Sequence, residues 1–152
     1  MVVKILCDHM LGSLARWLRF MGIDTAYPDP MGDRDLISIA RGEGRLLLTR
    51  DKELAARFPG AICIRSDELE EQIREVAAAI PLRVTAPLSR CSLCNTPIEP
   101  ASLESVRDLI PEGVHNRQKE FWRCPTCGKV YWQGSHWDKM VERLNRFGLS
   151  GS

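Results

Sequence analysis

At 152 residues the chain has room for one ordinary domain, or for a medium domain beside a small one. Its 44% hydrophobic and 27% charged content is that of a soluble globular protein, and no run approaches the roughly 18 apolar residues that a bilayer crossing needs. A formal net charge of +1 excludes a general attraction for nucleic acid, although residues 1–80 carry 11 basic and 13 acidic side chains while residues 81–152 carry 10 and 7.

The first stretch, Val2 to Cys7, is a short branched apolar run that reads as a strand buried on both faces, and it delivers Asp8 to its C-terminal end. Because the strand pattern begins at once and Asp8 interrupts any signal-peptide core, the expected location is cytoplasmic. Ser13 to Met21 has helical spacing, with Leu14, Leu18 and Met21 inward; Arg16 then reaches toward the Asp8 end of the sheet and Arg19 faces solvent. A second strand is expected over Ile23 to Tyr27 and a helix over Asp33 to Arg41, whose acidic first turn suits the positive end of a helix. Arg45 to Thr49 is a third strand, and it too hands an aspartate, Asp51, to the start of the next helix, Lys52 to Phe58. Ala61 to Ile64 is a fourth strand, followed by a helix from Glu68 to Ala79. Asp67 between them is either a third strand-end acid or an N-cap completed by Glu70 in a capping box.

Residues 1–80 thus alternate strand and helix, which predicts an α/β domain with a mostly parallel sheet and helices on both faces. No GxGxxG follows the first strand and no Walker-type loop is present, so dinucleotide and nucleoside triphosphate sites are not expected. Residues 81–90 lose the alternation, contain two prolines and read as a linker. Beyond it, Cys91-x2-Cys94 and Cys124-x2-Cys127 are two knuckles that can supply four thiolates to one tetrahedral zinc, with His136 in reserve and iron as another occupant of such a cage. Cys7 and Cys63 stand singly in apolar runs and read as small buried hydrophobes. The small C-terminal module, residues 91–147, has few apolar residues of its own, so the metal would supply much of its folding energy. A short helix is expected over Ser102 to Leu109, a hairpin from Glu120–Arg123 to Val130–Trp132, and a final helix to Phe147 with Met140, Val141 and Leu144 on its apolar stripe. Residues 148–152 read as a flexible tail.

Asp8, Asp35 and Asp51 can share one edge of the sheet. Crowded carboxylates repel, and a hard divalent ion that prefers oxygen ligands answers that problem. Arg50 and Arg16 match phosphate oxygens in geometry. In the C-terminal module Arg117, Lys119, Arg123 and Lys129 are interleaved with Trp122, Tyr131, Trp132 and Trp137, a mixture able to hold phosphates and stack bases; Trp122 and Trp137 are expected to be spent on packing.

These motifs together, the aspartates of Leu6-Cys7-Asp8, Asp33-Arg34-Asp35 and Thr49-Arg50-Asp51 with the two cysteine knuckles and Tyr131-Trp132-x-Gly134-Ser135-His136-Trp137, resemble the Mut7-C family, a PIN-like ribonuclease domain fused to a zinc ribbon. The resemblance implies Asp8, Asp35 and Asp51 as ligands for Mg²⁺ or Mn²⁺, with Asp67 or Asp33 as the fourth acid. It also implies an endoribonuclease of RNA processing or turnover, leaving a 5′-phosphate and a 3′-hydroxyl. The alternative is a noncatalytic RNA-binding or ribosome-associated protein that uses the ribbon alone. Disulfide exchange at a Cys-x2-Cys is a weaker third reading, since neither pair follows the first strand.

Overall fold

Ile5, Leu6 and Cys7 explain why the first strand lies inside a sheet: in the computed structural model, which describes residues 3–82 and 89–148, all three are fully buried. β1 (Lys4–Cys7) pairs in parallel with β2 (Asp24–Ala26) on one side and β3 (Leu46–Thr49) on the other, and β4 (Ala61–Cys63) pairs with β3. The order is therefore β2-β1-β3-β4. Side chains alternate across this sheet: Ile5, Cys7 and Leu48 enter one apolar cluster, Leu6 and Leu47 the other. α1 (Gly12–Phe20) and α4 (Leu69–Ala79) cover the first face, and α2 (Asp33–Glu43) and α3 (Lys52–Arg57) the second. Burying one leucine is worth roughly 1.5–3 kcal/mol, so the two clusters hold together strands of only three or four residues. This is the parallel, two-faced architecture that the alternation predicts.

Beyond residue 88 the chain forms an antiparallel sheet of β5 (Glu99–Ala101), β6 (Phe121–Arg123) and β7 (Val130–Tyr131), with α5 (Leu103–Val106) and α6 (Glu112–His115) between the first two strands. The hairpin and the helix after Ser102 are as expected. β5 is not foreseen; it contains Pro100, and an edge strand tolerates a residue with no N–H to donate. The small core comprises Val106, Ile110, Val114 and Phe121. Trp122, expected there, points to the opposite face of β6 and is only half-buried.

α7 (Ser135–Arg146) turns away from the ribbon. Its Leu144 is buried in the cluster that α1 and α4 cover, with Trp137, Met140, Val141 and Phe147 packed against it. The expected start of the first strand at Val2, most of the linker (residues 83–88) and the tail from residue 149 lie outside the described residues. No described helix is long and apolar enough to cross a membrane.

Candidate functional site

The four paired cysteines sit on two turns of one design. The Cys91 carbonyl accepts from Asn95 N–H at 2.8 Å and the Cys124 carbonyl from Gly128 N–H at 2.9 Å. The residue after the second cysteine must adopt positive φ, +68° at Asn95 and +81° at Gly128, and asparagine and glycine are the residues that tolerate it. The turns bring the four sulfurs within 4.8 Å of one another, with Cys91 and Cys127 Sγ 3.8 Å apart. Zinc–sulfur bonds of about 2.3 Å in a tetrahedron separate sulfurs by about 3.8 Å, so the cage has the size and chemistry to bind zinc. His136 is not part of it. Burial would push the Cys124 thiol up, but the N–H groups of Cys127 and Thr126 and the thiols of Cys91 and Cys127 outweigh it and bring it down to about 7. A hydrogen bond with Cys127, together with burial and the other thiols, pushes Cys94 up to about 12. Four thiolates cannot crowd together without a cation to neutralise them. The Tyr131 hydroxyl donates to Cys91 Sγ at 3.1 Å and accepts from Ser92 N–H at 3.1 Å, orienting that sulfur. Burial, with Cys91 beside it, raises the tyrosine's pKa.

The first knuckle also docks on the parallel sheet. Thr25, the middle of edge strand β2, donates its N–H to Asn95 Oδ1 at 2.9 Å, and its carbonyl accepts from Arg19 Nε at 2.8 Å. Arg19 Nη1 donates to Ser92 O at 2.9 Å, and Asn95 Nδ2 donates to Asp24 Oδ1 at 2.7 Å. Arg19 is therefore buried, at 6% exposure, rather than facing solvent as its helical position predicts, because the knuckle covers it. Burial lowers its pKa, opposed by the thiols of Cys7, Cys91 and Cys94. Burial works to raise Asp24, yet hydrogen bonds from Asn95 and Arg45 hold it below the usual carboxylate range.

Two of the acids lie just past the C-terminal ends of β1 and β3. Asp8 is buried; its Oδ1 accepts from His9 N–H at 2.6 Å and lies 2.7 Å from His9 Nδ1, and its Oδ2 accepts from the Thr49 hydroxyl at 2.9 Å. Thr49 Oγ1 in turn accepts from Asp51 N–H at 3.0 Å. Asp51 caps α3, its Oδ1 accepting from Glu53 and Leu54 N–H, and its Oδ2 has no hydrogen bond among the described residues. Asp8 and Asp51 thus stand at the C-terminal ends of neighbouring strands from which the chain leaves toward opposite edges, β2 and β4, the point where open α/β sheets place ligands.

Asp35 stands exposed in the first turn of α2 and makes no side-chain hydrogen bond with this pair. The acids do not gather as the cysteines do: among the described residues the cysteine set is the group of three or more ligating side chains close enough for one metal. Asp33 is paired with Arg57. Asp67 is exposed, and the expected capping box with Glu70 does not form; α4 begins after Glu68, which gives no side-chain cap. Glu75 instead reaches back from α4, accepting from Arg65 and Ser66 N–H, and so orders the loop after β4. Arg50 extends over that loop, its Nη2 donating to Arg65 O at 3.3 Å and its Nε buried without a partner among the described residues.

Of the expected RNA contacts, Arg16, Arg117, Lys129, Tyr131 and Trp132 line one cleft between α1, the ribbon and α7, whereas Lys119 and Arg123 are exposed and do not line it. Trp132 packs edge-on against Phe121 with ring centroids 6.5 Å apart, and Lys129 Nζ lies 5.2 Å from the centroid of the Tyr131 ring. Sequence reasoning missed Thr49, Arg19, Asn95 and Glu75. Thr49 two residues before Asp51 and Asn95 directly after a knuckle carried a local signal; Arg19 and Glu75 carried none.

A family model described as the Mut7-C RNAse domain matches residues 3–144. A human protein described as "Exonuclease mut-7 homolog" is 34% identical over 101 residues, 60% of this chain, and this chain spans 12% of that relative's length. No solved structure matches.

Proposed function

The chain belongs to the Mut7-C RNAse domain family, and from that premise we propose that it is a divalent-metal-dependent ribonuclease that cuts within RNA strands. One observation carries the reading: a single hydroxyl, that of Thr49, ties the buried carboxylate of Asp8 to the backbone of Asp51 at the point where the sheet's connections diverge. Mg²⁺ and Mn²⁺ suit this pair, because such ions need few carboxylates and keep much of their water. When bound, the cation supplies charge against the phosphodiester and makes its water a stronger nucleophile. Asp8 is held in one orientation by His9 and Thr49, and Asp51 offers Oδ2 while Oδ1 caps its helix. Asp35 would contribute its charge from the first turn of α2, and of the two candidates for a fourth acid Asp67 is exposed and without an ion pair among the described residues, whereas Asp33 is engaged with Arg57. Arg50, whose guanidinium extends over the loop after β4, is the cation placed to hold a non-bridging phosphate oxygen.

The test is RNA cleavage by zinc-loaded protein with Mg²⁺ and Mn²⁺ supplied separately, on end-labelled linear RNA and on circular RNA. Asp8→Asn and Asp51→Asn should lower cleavage a hundredfold or more with fold and zinc retained. Undiminished cleavage by both folded variants rejects the site, and cleavage confined to free ends replaces internal cutting with the exonuclease activity named for the human relative. A second reading, RNA binding without catalysis, draws on the separation of Asp35 from the other two acids; it predicts binding with no cleavage under either ion.

A further inference from the structure

We propose that the cleft between α1, the ribbon and α7 is a track for single-stranded RNA, built from three elements and separate from the acidic edge. The choice of RNA as the polymer rests on the ribonuclease reading above; the chemistry of the track does not.

The cleft encloses about 1120 Å³. Its lining includes six cations, Arg16, Arg90, Arg117, Lys129, Lys139 and Arg143, and no carboxylate. Only Arg143 has a carboxylate partner among the described residues, Glu70 at 3.2 Å. In a chain whose net charge is +1, five cations without acidic partners on one concave surface form a local positive field suited to a polyanion.

Charge alone would suit any polyanion, but the walls are also aromatic. The half-buried rings of Tyr131 and Trp132 come from the ribbon side and that of Trp137 from α7. Half-buried rings in a cleft leave part of their faces for unpaired bases to stack on without regard to sequence, whereas a duplex keeps its bases stacked on each other and offers only its backbone and groove edges.

The position of the cleft ties it to the acids. α1 begins at Gly12, four residues after Asp8, and Ser13, Arg16, Trp17 and Phe20 of that helix line the cleft. At 1.5 Å per residue the lined part of α1 spans about 10 Å, so a strand lying along it is led toward the end of β1. The walls hold their spacing because the Arg19–Ser92 and Asn95–Thr25 hydrogen bonds fix the ribbon against the sheet. The track therefore exists only in the docked molecule.

The experiment measures binding and cleavage separately on the full chain. Anisotropy of a labelled oligouridine, without added Mg²⁺ or Mn²⁺, is followed for wild type, Arg16→Glu, Lys139→Glu and, as a control on the opposite face of the sheet, the exposed Arg34→Glu. Arg16→Glu and Lys139→Glu should each weaken binding tenfold or more with an unchanged melting point, and each should flatten the salt dependence by about 0.7 per lost phosphate contact. Arg34→Glu should change affinity less than threefold. Oligouridine should also quench the tryptophan fluorescence of wild type. Wild-type affinity in both cleft variants overturns the proposal. Equal affinity for duplex RNA overturns the single-strand assignment, and equal affinity for polyglutamate reassigns the cleft to an acidic protein. Binding that depends on the cleft in a protein that cleaves nothing leaves the track standing and rejects the nuclease reading.

Discussion

Thr49 donates its hydroxyl to Asp8 across 2.9 Å, and both residues are buried, so neither group has water to fall back on. Thr49→Val keeps the shape of the side chain but leaves an Asp8 oxygen short of a donor and the Asp51 N–H without an acceptor. Desolvated groups left unpaired cost about 1–3 kcal/mol. Thermal denaturation should show a lower melting point, and RNA cleavage should fall with it; an unchanged melting point would mean that water enters the edge.

Asp51 offers a way to separate its helix cap from its proposed chemistry. Asparagine caps as well as aspartate does, so Asp51→Asn should be nearly neutral in stability, while Asp51→Ala should cost about 1 kcal/mol. Both should abolish metal-dependent cleavage. Urea denaturation of the pair beside the cleavage assay checks this, and cleavage surviving in the asparagine variant would leave only the cap.

Arg19 joins the sheet to the knuckle with two hydrogen bonds from a planar fork, which lysine cannot reproduce. Arg19→Lys should therefore destabilise the protein by about 2–3 kcal/mol, nearly as much as Arg19→Met. Equal stability of the lysine variant and wild type would show that charge alone, not the fork, holds the docking.

Much of this was legible. Dense runs such as Leu46–Leu48 announce buried strands, and strand-end aspartates twice preceding a helix announce the acidic edge. Arg19 was not legible, because its burial is imposed by a knuckle about seventy residues downstream and nothing in α1 encodes that cover. The stripe of α7 could be read, but not which surface it covers: amphipathicity gives a face, not a partner, and the partner is the sheet's cluster rather than the ribbon. Asp67 fitted a capping box by spacing alone, yet Glu75 ordered the loop first.

Asp24 carries a pH signature. Its folded pKa is depressed, so it contributes stability above its unfolded value of about 3.9, and that stability is lost as pH falls through the lower folded pKa. The stability difference between wild type and Asp24→Asn should be full above about pH 5 and shrink below about pH 4. Denaturation at a series of pH values measures it; a difference that grows on acidification has the wrong sign.

Tyr131 should tune the metal rather than bind it. Tyr131→Phe removes the donor to Cys91 Sγ and, by the usual weight of such partners, should weaken zinc retention against a chelator about ten- to a hundredfold. Unaltered retention would leave the hydroxyl with Ser92 alone.

The closure of Thr25 has a consequence for the molecule in a crowded solution. β2 is an outer strand, and its central N–H and C=O point away from β1; a bare strand edge of that kind is a template on which another chain can add. Asn95 of the first knuckle and Arg19 of α1 occupy both groups, so the docked knuckle and the helix together guard the edge against intermolecular strand addition. Undocking of the knuckle would then do more than free a small module: it would bare the Thr25 N–H, half of an adhesive edge, and leave Arg19 of α1 as the only cover on its carbonyl among the described residues.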